Sequence, residues 1–230
     1  MSFKADIITL FPELFPGPLG ASIIGRGLDK GLWSLTATDL RDFATSKHKN
    51  VDDTPSGGGP GMVLRPDILG RAIDAISPHD DPRPRLLMSP RGKPFTQEKA
   101  HEMASGPGVV LICGRFEGVD QRIIEARNLT EISIGDYVLA GGEVAAMALL
   151  EATVRLIPGV LGSSASSHEE SHENNLLEYP QYTRPQTFEG LEVPSVLISG
   201  DHKKIKQWRQ NQSEFLTAKI RPDMLPKKEG

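Results

Sequence analysis

Three glycine-bearing loops hold the residues best suited to bind a small ligand. They are SPRG (89–92), GRFEG (114–118) and GDYVLAGGE (135–143), and a short apolar run lies just before each of them. Glycine lets main-chain N–H and C=O groups approach a ligand closely, because it has no Cβ. In open α/β sheets, ligands bind beyond the carboxyl ends of the strands, so the three loops predict one shared pocket. Main-chain hydrogen bonds in such a pocket could bind the edge of an adenine ring.

Two common nucleotide-binding motifs are missing from the sequence. It contains neither G-x-G-x-x-G nor G-x-x-x-x-G-K-[ST], so Rossmann dinucleotide binding and P-loop chemistry have no support. The run GGGPGM (57–62) is rich in glycine, but no Lys-Ser/Thr pair follows it. It is either a flexible loop or a segment that lets the backbone come close to a ligand.

The segment HEESH (168–172) matches the H-E-x-x-H pattern of zinc metalloproteases. That chemistry needs both imidazoles on one helical face and a third ligand. Here the motif lies between SSASS and ENN, with no apolar face to fix a helix. A solvated acidic linker is therefore the favoured interpretation, and a zinc hydrolase is kept only as a minor alternative.

Charge and cysteine content narrow the class of protein. The formal net charge of −4 over 230 residues argues, at face value, against a nucleic-acid partner. The charge is uneven, however: residues 201–230 contain eight Lys and Arg against four Asp and Glu, while residues 1–200 contain 18 against 26. A basic C-terminal segment behind an acidic body fits a local nucleic-acid contact better than the total suggests. The single cysteine, Cys113, excludes a disulfide framework and a cysteine-based zinc ribbon.

Apolar runs alternate with helical patterns, which predicts an α/β fold with a mainly parallel sheet. The predicted strands are residues 5–11, 33–40, 85–88, 109–113 and 131–134. The predicted helices are residues 19–32, 66–76, 96–104, 121–127 and 142–157, the last stopped by Pro158. Beyond a polar segment, residues 193–199 are predicted to be extended, and residues 201–220 to form an amphipathic helix with the stripe Ile205, Trp208, Phe215 and Leu216. No targeting or membrane segment is visible, so a cytoplasmic protein is expected.

Six motifs, in order along the chain, carry a resemblance to a known family. They are DDTPSGGGPGM (52–62), LICGRFEGVDQRI (111–123), SIGDYVLAGGE (133–143), RLIPGVLG (155–162), LLEYPQYTRP (176–185) and SGDHKKIKQWR (199–209). Together they resemble the bacterial tRNA (guanine-N1)-methyltransferases, the TrmD family, of the SPOUT class.

The resemblance implies a three-part organisation and a set of partners. Residues 1–162 would form a SPOUT domain with a deep trefoil knot that binds S-adenosylmethionine (SAM), residues 163–175 a flexible linker, and residues 176–230 a small, mostly helical tRNA-binding domain. The protein would be a homodimer with the active site at the subunit interface, and would convert guanosine 37 of tRNA, just 3′ of the anticodon, to 1-methylguanosine. Neither DNA nor a membrane is expected as a partner. The family is associated with Mg²⁺, for which no dedicated site can be assigned.

The resemblance also assigns roles to individual positions. Cofactor contacts would come from Leu87, Ser89, Pro90, Gly114, Glu117, Ile134, Gly135, Tyr137, Leu139, Gly141 and Gly142. Substrate contacts would come from Asp52, Gly61, Met62, Arg115, Glu178, Arg184, Ser199, His202, Lys203 and Lys204. In particular, Lys203, Lys204 and Lys206, with exposed N–H groups at the start of their helix, would form a phosphate site.

The proposed chemistry requires a base and a cation. Guanine N1 carries a proton at neutral pH, so a base must remove it, and negative charge then builds up toward O6. Family position gives these roles to Glu170 as the base and Arg155 as the cation facing O6. The family often has Asp where this chain has Glu170, and the neighbouring Glu169 and Glu173 remain alternatives. Arg155 also lies four residues after Glu151, a spacing that would suit a surface ion pair. A non-catalytic RNA-binding protein on the same scaffold is the alternative function.

Overall fold

The computed structural model describes residues 2–161, 171–172 and 175–225. The chain forms two compact units, Met1–Gly162 and Ser163–Gly230. Each unit has its own secondary structure.

The first unit is built around a five-stranded sheet in which every strand pairing is parallel. Its strands are β1 (Phe3–Thr9), β2 (Trp33–Asp39), β5 (Arg85–Pro94), β6 (Gly108–Cys113) and β7 (Thr130–Ser133), in the order β2-β1-β6-β5-β7. Two short strands, β3 (Asp52–Asp53) and β4 (Val63–Leu64), form a separate antiparallel pair. The predicted α/β class with a mainly parallel sheet is confirmed.

Helices cover both faces of this sheet. They are α1 (Ser22–Asp29), α2 (Pro66–Ile76), α3 (Gln97–Ala104), α4 (Gln121–Ala126) and α5 (Glu143–Val154). One core contains Trp33 and the buried residues of α5, and the other contains the apolar face of α2. All six residues of β6 are buried, which explains why its sequence is continuously apolar rather than alternating.

Several predicted elements agree closely with the structure. Helix α2 has the predicted bounds and starts at Pro66, whose missing N–H costs nothing in a first turn. Thr96 caps α3, and its hydroxyl oxygen accepts from the Lys99 N–H at 3.2 Å.

Helix α5 ends earlier than the sequence pattern predicts. It was expected to reach Ile157 but stops at Val154. The N–H groups of Leu156 and Ile157 donate to the carbonyl groups three residues earlier, at 3.1 and 3.0 Å. This tighter turn follows because a residue before proline is pushed out of the α region, and Pro158 comes next.

Strand β5 is longer than predicted and contains an irregularity. It pairs with β7 both before and after residues 89–92, with a register shift between Met88 and Lys93. At Gly92 a Cβ would overlap the backbone of Glu131 and Ile132, so only glycine fits where β5 passes this close to β7. The bulge places Ser89 and Pro90 beside the end of β7.

The second unit has one long helix and a small hairpin. The hairpin joins β8 (Thr187–Phe188) to β9 (Leu191–Glu192), and α6 spans His202–Ile220. The prediction of an extended segment at residues 193–199 is wrong, because Ser195–Ile198 form a 3₁₀ turn.

The predicted apolar stripe of α6 needs a correction as well. Phe215 is 60% exposed, while Ser213 and Thr217 are the buried residues of the helix. The Thr217 hydroxyl donates to the Ser213 carbonyl at 2.7 Å and accepts from the Leu177 N–H at 2.9 Å. Because these hydrogen bonds satisfy its polar atoms, Thr217 can occupy a position that sequence analysis would give to an apolar residue. None of the helices among the described residues is long and apolar enough to cross a membrane.

Candidate cofactor site

A cavity of about 310 Å³ lies where β5, β6 and β7 end. Its lining includes all eleven residues that the sequence analysis named as cofactor contacts: Leu87, Ser89, Pro90, Gly114, Glu117, Ile134, Gly135, Tyr137, Leu139, Gly141 and Gly142. The volume lies within the usual range for small-molecule sites. Three loops separated by many residues along the chain therefore line one site, as the carboxyl ends of parallel strands would predict.

The loop after β7 is held in shape by its own hydrogen bonds. The Ser133 hydroxyl donates to the Gly135 carbonyl at 2.9 Å, and the Tyr137 N–H donates to the same carbonyl at 2.9 Å. A Cβ at Gly135 would overlap the Tyr137 ring, so the turn requires glycine there. The resulting loop presents main-chain groups and a tyrosine ring to the cavity.

The far end of this loop packs against the end of β6. The Gly142 N–H donates to the Gly114 carbonyl at 2.9 Å. A Cβ at Gly142 would lie 2.8 Å from the Cα of Cys113, closer than real Cβ atoms come to other groups. Close backbone packing, rather than flexibility, explains this glycine.

Polar side chains occupy one wall of the cavity. The Ser89 hydroxyl donates to Oε1 of Glu131 at 2.8 Å, and Arg91 donates to the same oxygen through Nε at 3.2 Å and Nη2 at 3.0 Å. Sequence analysis identified Ser89 but missed Glu131 and Arg91. Arg91 lies in the SPRG segment and Glu131 in the EISIGDY segment (131–137). Their pairing could not be predicted from either segment, because it depends on the contact between β5 and β7.

A buried ion pair lies beside the cavity. Arg115 lines the cavity, and its Nη2 lies 2.9 Å from Oε2 of Glu143, a carboxylate only 1% exposed. The guanidinium carbon of Arg115 is 4.3 Å from the centre of the Phe11 ring. Burial raises the pKa of the neighbouring Cys113 thiol well above its usual range, and the negative charge of Glu143 adds to this effect. The Cys113 thiol is consequently protonated and unreactive.

Residues from the GGGPGM segment contact the same site. A Cβ at Gly61 would overlap the carboxyl group of Glu117, and the Glu117 N–H donates to the Met62 carbonyl at 3.0 Å. Asp52, in β3, pairs with Leu64 of β4 just beyond this segment. Of the two interpretations of the segment, close approach applies at Gly61, whereas Gly57, Gly58 and Gly59 have open space around them.

Of the two residues predicted to be catalytic, only Arg155 lies within the described residues. Arg155 follows the last turn of α5, is partly buried, and donates its N–H to the Glu151 carbonyl at 3.3 Å. Glu170, like its alternatives Glu169 and Glu173, lies outside the described residues. Their catalytic roles remain predictions.

The substrate residues predicted beyond the linker belong to the second unit. The Glu178 N–H donates to the Ser171 hydroxyl oxygen at 2.9 Å. The other five are all exposed: Arg184, Ser199, His202, Lys203 and Lys204.

One part of the predicted phosphate site is wrong. The N–H groups of Lys203 and Lys204 are not exposed donors, since both donate to Oδ1 of Asp201 at 3.1 Å. These backbone hydrogen bonds, with the Lys204 side chain, lower the pKa of the Asp201 carboxyl. Asp201 is an N-cap, so any phosphate contact here must come from the lysine side chains.

The HEESH segment lies only partly within the described residues. His168 lies outside the described residues, and within residues 2–161, 171–172 and 175–225 no group of three His, Cys, Asp or Glu residues could hold a metal ion.

The sheet and its cavity define an α/β protein with a cavity of small-molecule size at the carboxyl ends of parallel strands. Over residues 3–227 the chain matches the model of the family described as tRNA (Guanine-1)-methyltransferase TrmD, and the chain belongs to that family. This confirms the resemblance drawn from the six motifs.

Close relatives cover nearly the whole chain. A protein of Mesorhizobium japonicum named tRNA (guanine-N(1)-)-methyltransferase is 64% identical over 225 residues, covering 98% of this chain and 97% of that protein. Proteins with the same name from Chelativorans sp. and Rhodopseudomonas palustris are each 62% identical over 224 residues, covering 97% of this chain and 95% and 88% of their own length.

Proposed function

We propose that this protein is an enzyme that transfers a methyl group from SAM to N1 of guanosine 37 in tRNA. Membership of the TrmD family supports this assignment. The observation that carries it furthest is the cavity, since eleven positions chosen from sequence line one space.

The residues of the cavity suit SAM chemically. Main-chain groups of the loop after β7 could hydrogen-bond the adenine edge, and Leu87 and Leu139 supply apolar contact. The Glu117 carboxylate, which also lines the cavity, favours a cationic ligand, whereas the charge of Glu131 is paired with Arg91. When bound, SAM supplies an electrophilic methyl group on a positively charged sulfur.

The chain must supply the proton transfer and the charge stabilisation. Guanine N1 cannot attack while it carries its proton, and the carboxylate of Glu170 takes this proton in our proposal. Transfer to a carboxylate with an ordinary pKa of about 4.3 is uphill unless the resulting guanine anion is stabilised. The guanidinium of Arg155 would stabilise the charge that develops at O6.

We also propose the assembly that the family implies. The first unit would thread its C-terminal part into a trefoil knot, and two copies would form a homodimer with the target guanine at their interface. The close backbone contact between Gly142 and the end of β6 is compatible with such threading. The enzyme would work in the cytoplasm, and Mg²⁺ is a further proposed requirement.

In this proposal the second unit contributes to tRNA binding. Lys203 and Lys204 lie in the first turn of α6 with exposed side chains, although positive charge there opposes the helix dipole. Backbone phosphates would offset this cost and make the affinity dependent on salt.

The test is methyl transfer to an in vitro tRNA transcript. The purified protein with radiolabelled SAM should label a transcript with guanosine 37 and leave a transcript with adenosine 37 unlabelled. Binding of both transcripts without transfer of label would instead support a non-catalytic RNA-binding protein.

A further inference from the structure

Glu143 is an ionisable residue buried against the cavity wall. It lies in the first turn of α5 and is 1% exposed. Its Oε1 accepts from the Thr9 hydroxyl at 2.7 Å and from Nε of Arg115 at 3.1 Å. Its Oε2 lies 2.9 Å from Nη2 of Arg115. The carboxylate therefore contacts the guanidinium of Arg115 through one hydrogen bond at Oε1 and one ion-pair contact at Oε2, and Oε2 accepts no hydrogen bond from the described residues.

Thr9 fixes the direction of these hydrogen bonds. Its hydroxyl oxygen accepts from the Phe11 N–H at 3.0 Å, so its single proton is free for Glu143. Thr9 is 1% exposed, at the carboxyl end of β1. The Phe11 ring, two residues beyond the end of β1, also lies under the guanidinium of Arg115, so the end of β1 and the residues that follow it support Arg115 in two ways.

Arg115 has N–H groups that make no hydrogen bond to the described residues. Nε donates to Glu143, and Nη1 donates to the Ala140 carbonyl at 3.3 Å. Its hydrogen bonds to the described residues thus use two of the five N–H groups that arginine carries. Gly141 leaves room for the guanidinium, because a Cβ there would overlap Nε of Arg115.

Fold stability alone is a poor explanation for this arrangement. An acidic residue in the first turn of a helix is favourable even when exposed, so α5 does not require a buried one. Burying an ion pair costs desolvation energy that is often not recovered. What the burial does provide is one fixed orientation for a guanidinium beside the cavity.

We infer that Glu143, supported by Thr9, is a positioning residue that aims Arg115 at a phosphate oxygen of the bound tRNA. The inference rests on the proposed function, since it requires tRNA beside the cavity. A guanidinium whose N–H groups are only partly used within the protein suits phosphate oxygens. Glu143 itself touches neither tRNA nor SAM in this account.

The first test compares Glu143→Gln, Thr9→Val and Thr9→Ser. The amide of Gln keeps an oxygen that can accept from Thr9 and from Nε of Arg115, but it carries no charge and so removes the ion pair with the guanidinium. We expect Glu143→Gln to raise KM for tRNA about tenfold, the scale of one charge-assisted hydrogen bond. The value of kcat should change by less than about threefold. The Kd for SAM should rise less than KM for tRNA, because Arg115 is only one of many residues that line the cavity. Thr9→Val should change KM in the same direction, and Thr9→Ser, which keeps the hydroxyl, should recover most of the loss.

The decisive measurement is a double-mutant cycle with Arg115→Ala. This substitution should reduce the slope of log affinity for tRNA against log salt by about one, as expected for one lost phosphate contact. If Glu143 acts through Arg115, then Glu143→Gln should cause no further change in KM or slope in the Arg115→Ala background. Thermal melting of every variant shows whether the fold is kept, and Glu125→Gln, an exposed glutamate on α4, is the control.

Three outcomes separate the possibilities. Loss of the Glu143→Gln effect in the Arg115→Ala background supports the inference. Independent effects of the two substitutions, or a lower melting temperature with an unchanged KM for tRNA, would overturn it while leaving the proposed function intact. A wild-type protein that fails to methylate guanosine 37 contradicts the proposed function instead.

Discussion

Gly61 lies directly against the carboxyl group of Glu117, so that any Cβ at position 61 would overlap Oε1 of that side chain. The contact joins the GGGPGM segment to the loop after β6. The Glu117 N–H also donates to the Met62 carbonyl, at 3.0 Å. The segment therefore helps to place a carboxylate that lines the cavity.

This contact predicts a specific effect of Gly61→Ala. The new methyl group must displace the Glu117 side chain from its present place at the cavity. Since Glu117 is exposed, we expect the Kd for SAM to rise by only about two- to fivefold, which isothermal titration calorimetry can measure.

Gly58→Ala provides a matched control for that experiment. Gly61 has φ +83° and Gly58 has φ +79°, so alanine is similarly strained at both positions, but no atom lies near a Cβ at Gly58. Each substitution should destabilise the protein by roughly 1–2 kcal/mol through its backbone alone. Equal Kd values for SAM in the two variants would show that the contact with Glu117 has no role in binding.

The proposed chemistry predicts that Arg155→Ala and Glu170→Ala bind SAM normally but transfer methyl groups slowly. Loss of a general base should reduce kcat by about 10²–10⁴-fold, and loss of the cation facing O6 by about 10²–10³-fold. Single-turnover rates with saturating tRNA and SAM would measure both losses. Glu169→Ala and Glu173→Ala are the controls, and a large loss in either one, with Glu170→Ala near normal, would move the base to that residue.

Helix α6 predicts a change in salt dependence. Replacing Lys203 and Lys204 with Gln should weaken tRNA binding and reduce the slope of log affinity against log salt by about 1–2, because each phosphate contact contributes about 0.9. Lys219→Gln, near the other end of the same helix, should leave the slope unchanged. An unchanged slope in the double variant would exclude phosphate contacts by the two lysines.

A buried cluster of charges predicts how stability depends on pH. Arg83 lies 2.6 Å from Oδ2 of Asp6 and 2.6 Å from Oδ2 of Asp81, and all three side chains are less than 10% exposed. The hydrogen bonds from Arg83 lower the pKa of Asp81 from 3.8 to about 2. Such a shift corresponds to about 2 kcal/mol of stability. Because the folded state has the lower pKa, this contribution is present above about pH 4 and is lost as the pH falls toward 2.

Urea unfolding between pH 2 and pH 7 would test this expectation. Asp81→Asn should lower stability at neutral pH and flatten the decline between pH 4 and pH 2. Arg65 and Asp67 form a pair with the same two-residue spacing, but the Asp67 side chain is 48% exposed. Asp67→Asn should therefore change the pH profile much less, and similar profiles for the two variants would contradict the assignment.

The residues that line the cavity could be predicted from the sequence because each of its loops is a continuous segment of the chain. Glycines after apolar runs mark the ends of parallel strands, and the six motifs supplied the particular positions. The Thr9–Glu143 hydrogen bond could not be predicted in this way, since the two residues are 134 positions apart. Glu143 lies within a recognised motif, but its burial depends on how α5 packs beside the end of β1. The predicted burial of Phe215 was wrong because it rested on helical spacing alone. The buried face of α6 instead contains the polar residue Thr217.

The central claim is that this chain methylates N1 of guanosine 37, and primer extension on the modified transcript tests it most directly. A methyl group at N1 blocks Watson–Crick pairing, so reverse transcriptase should stop at position 37 only after incubation with both protein and SAM. The Arg155→Ala variant should abolish this stop. Full-length extension through position 37 after labelled methyl groups have been incorporated would place the modification on another atom or another nucleotide, and would contradict the account.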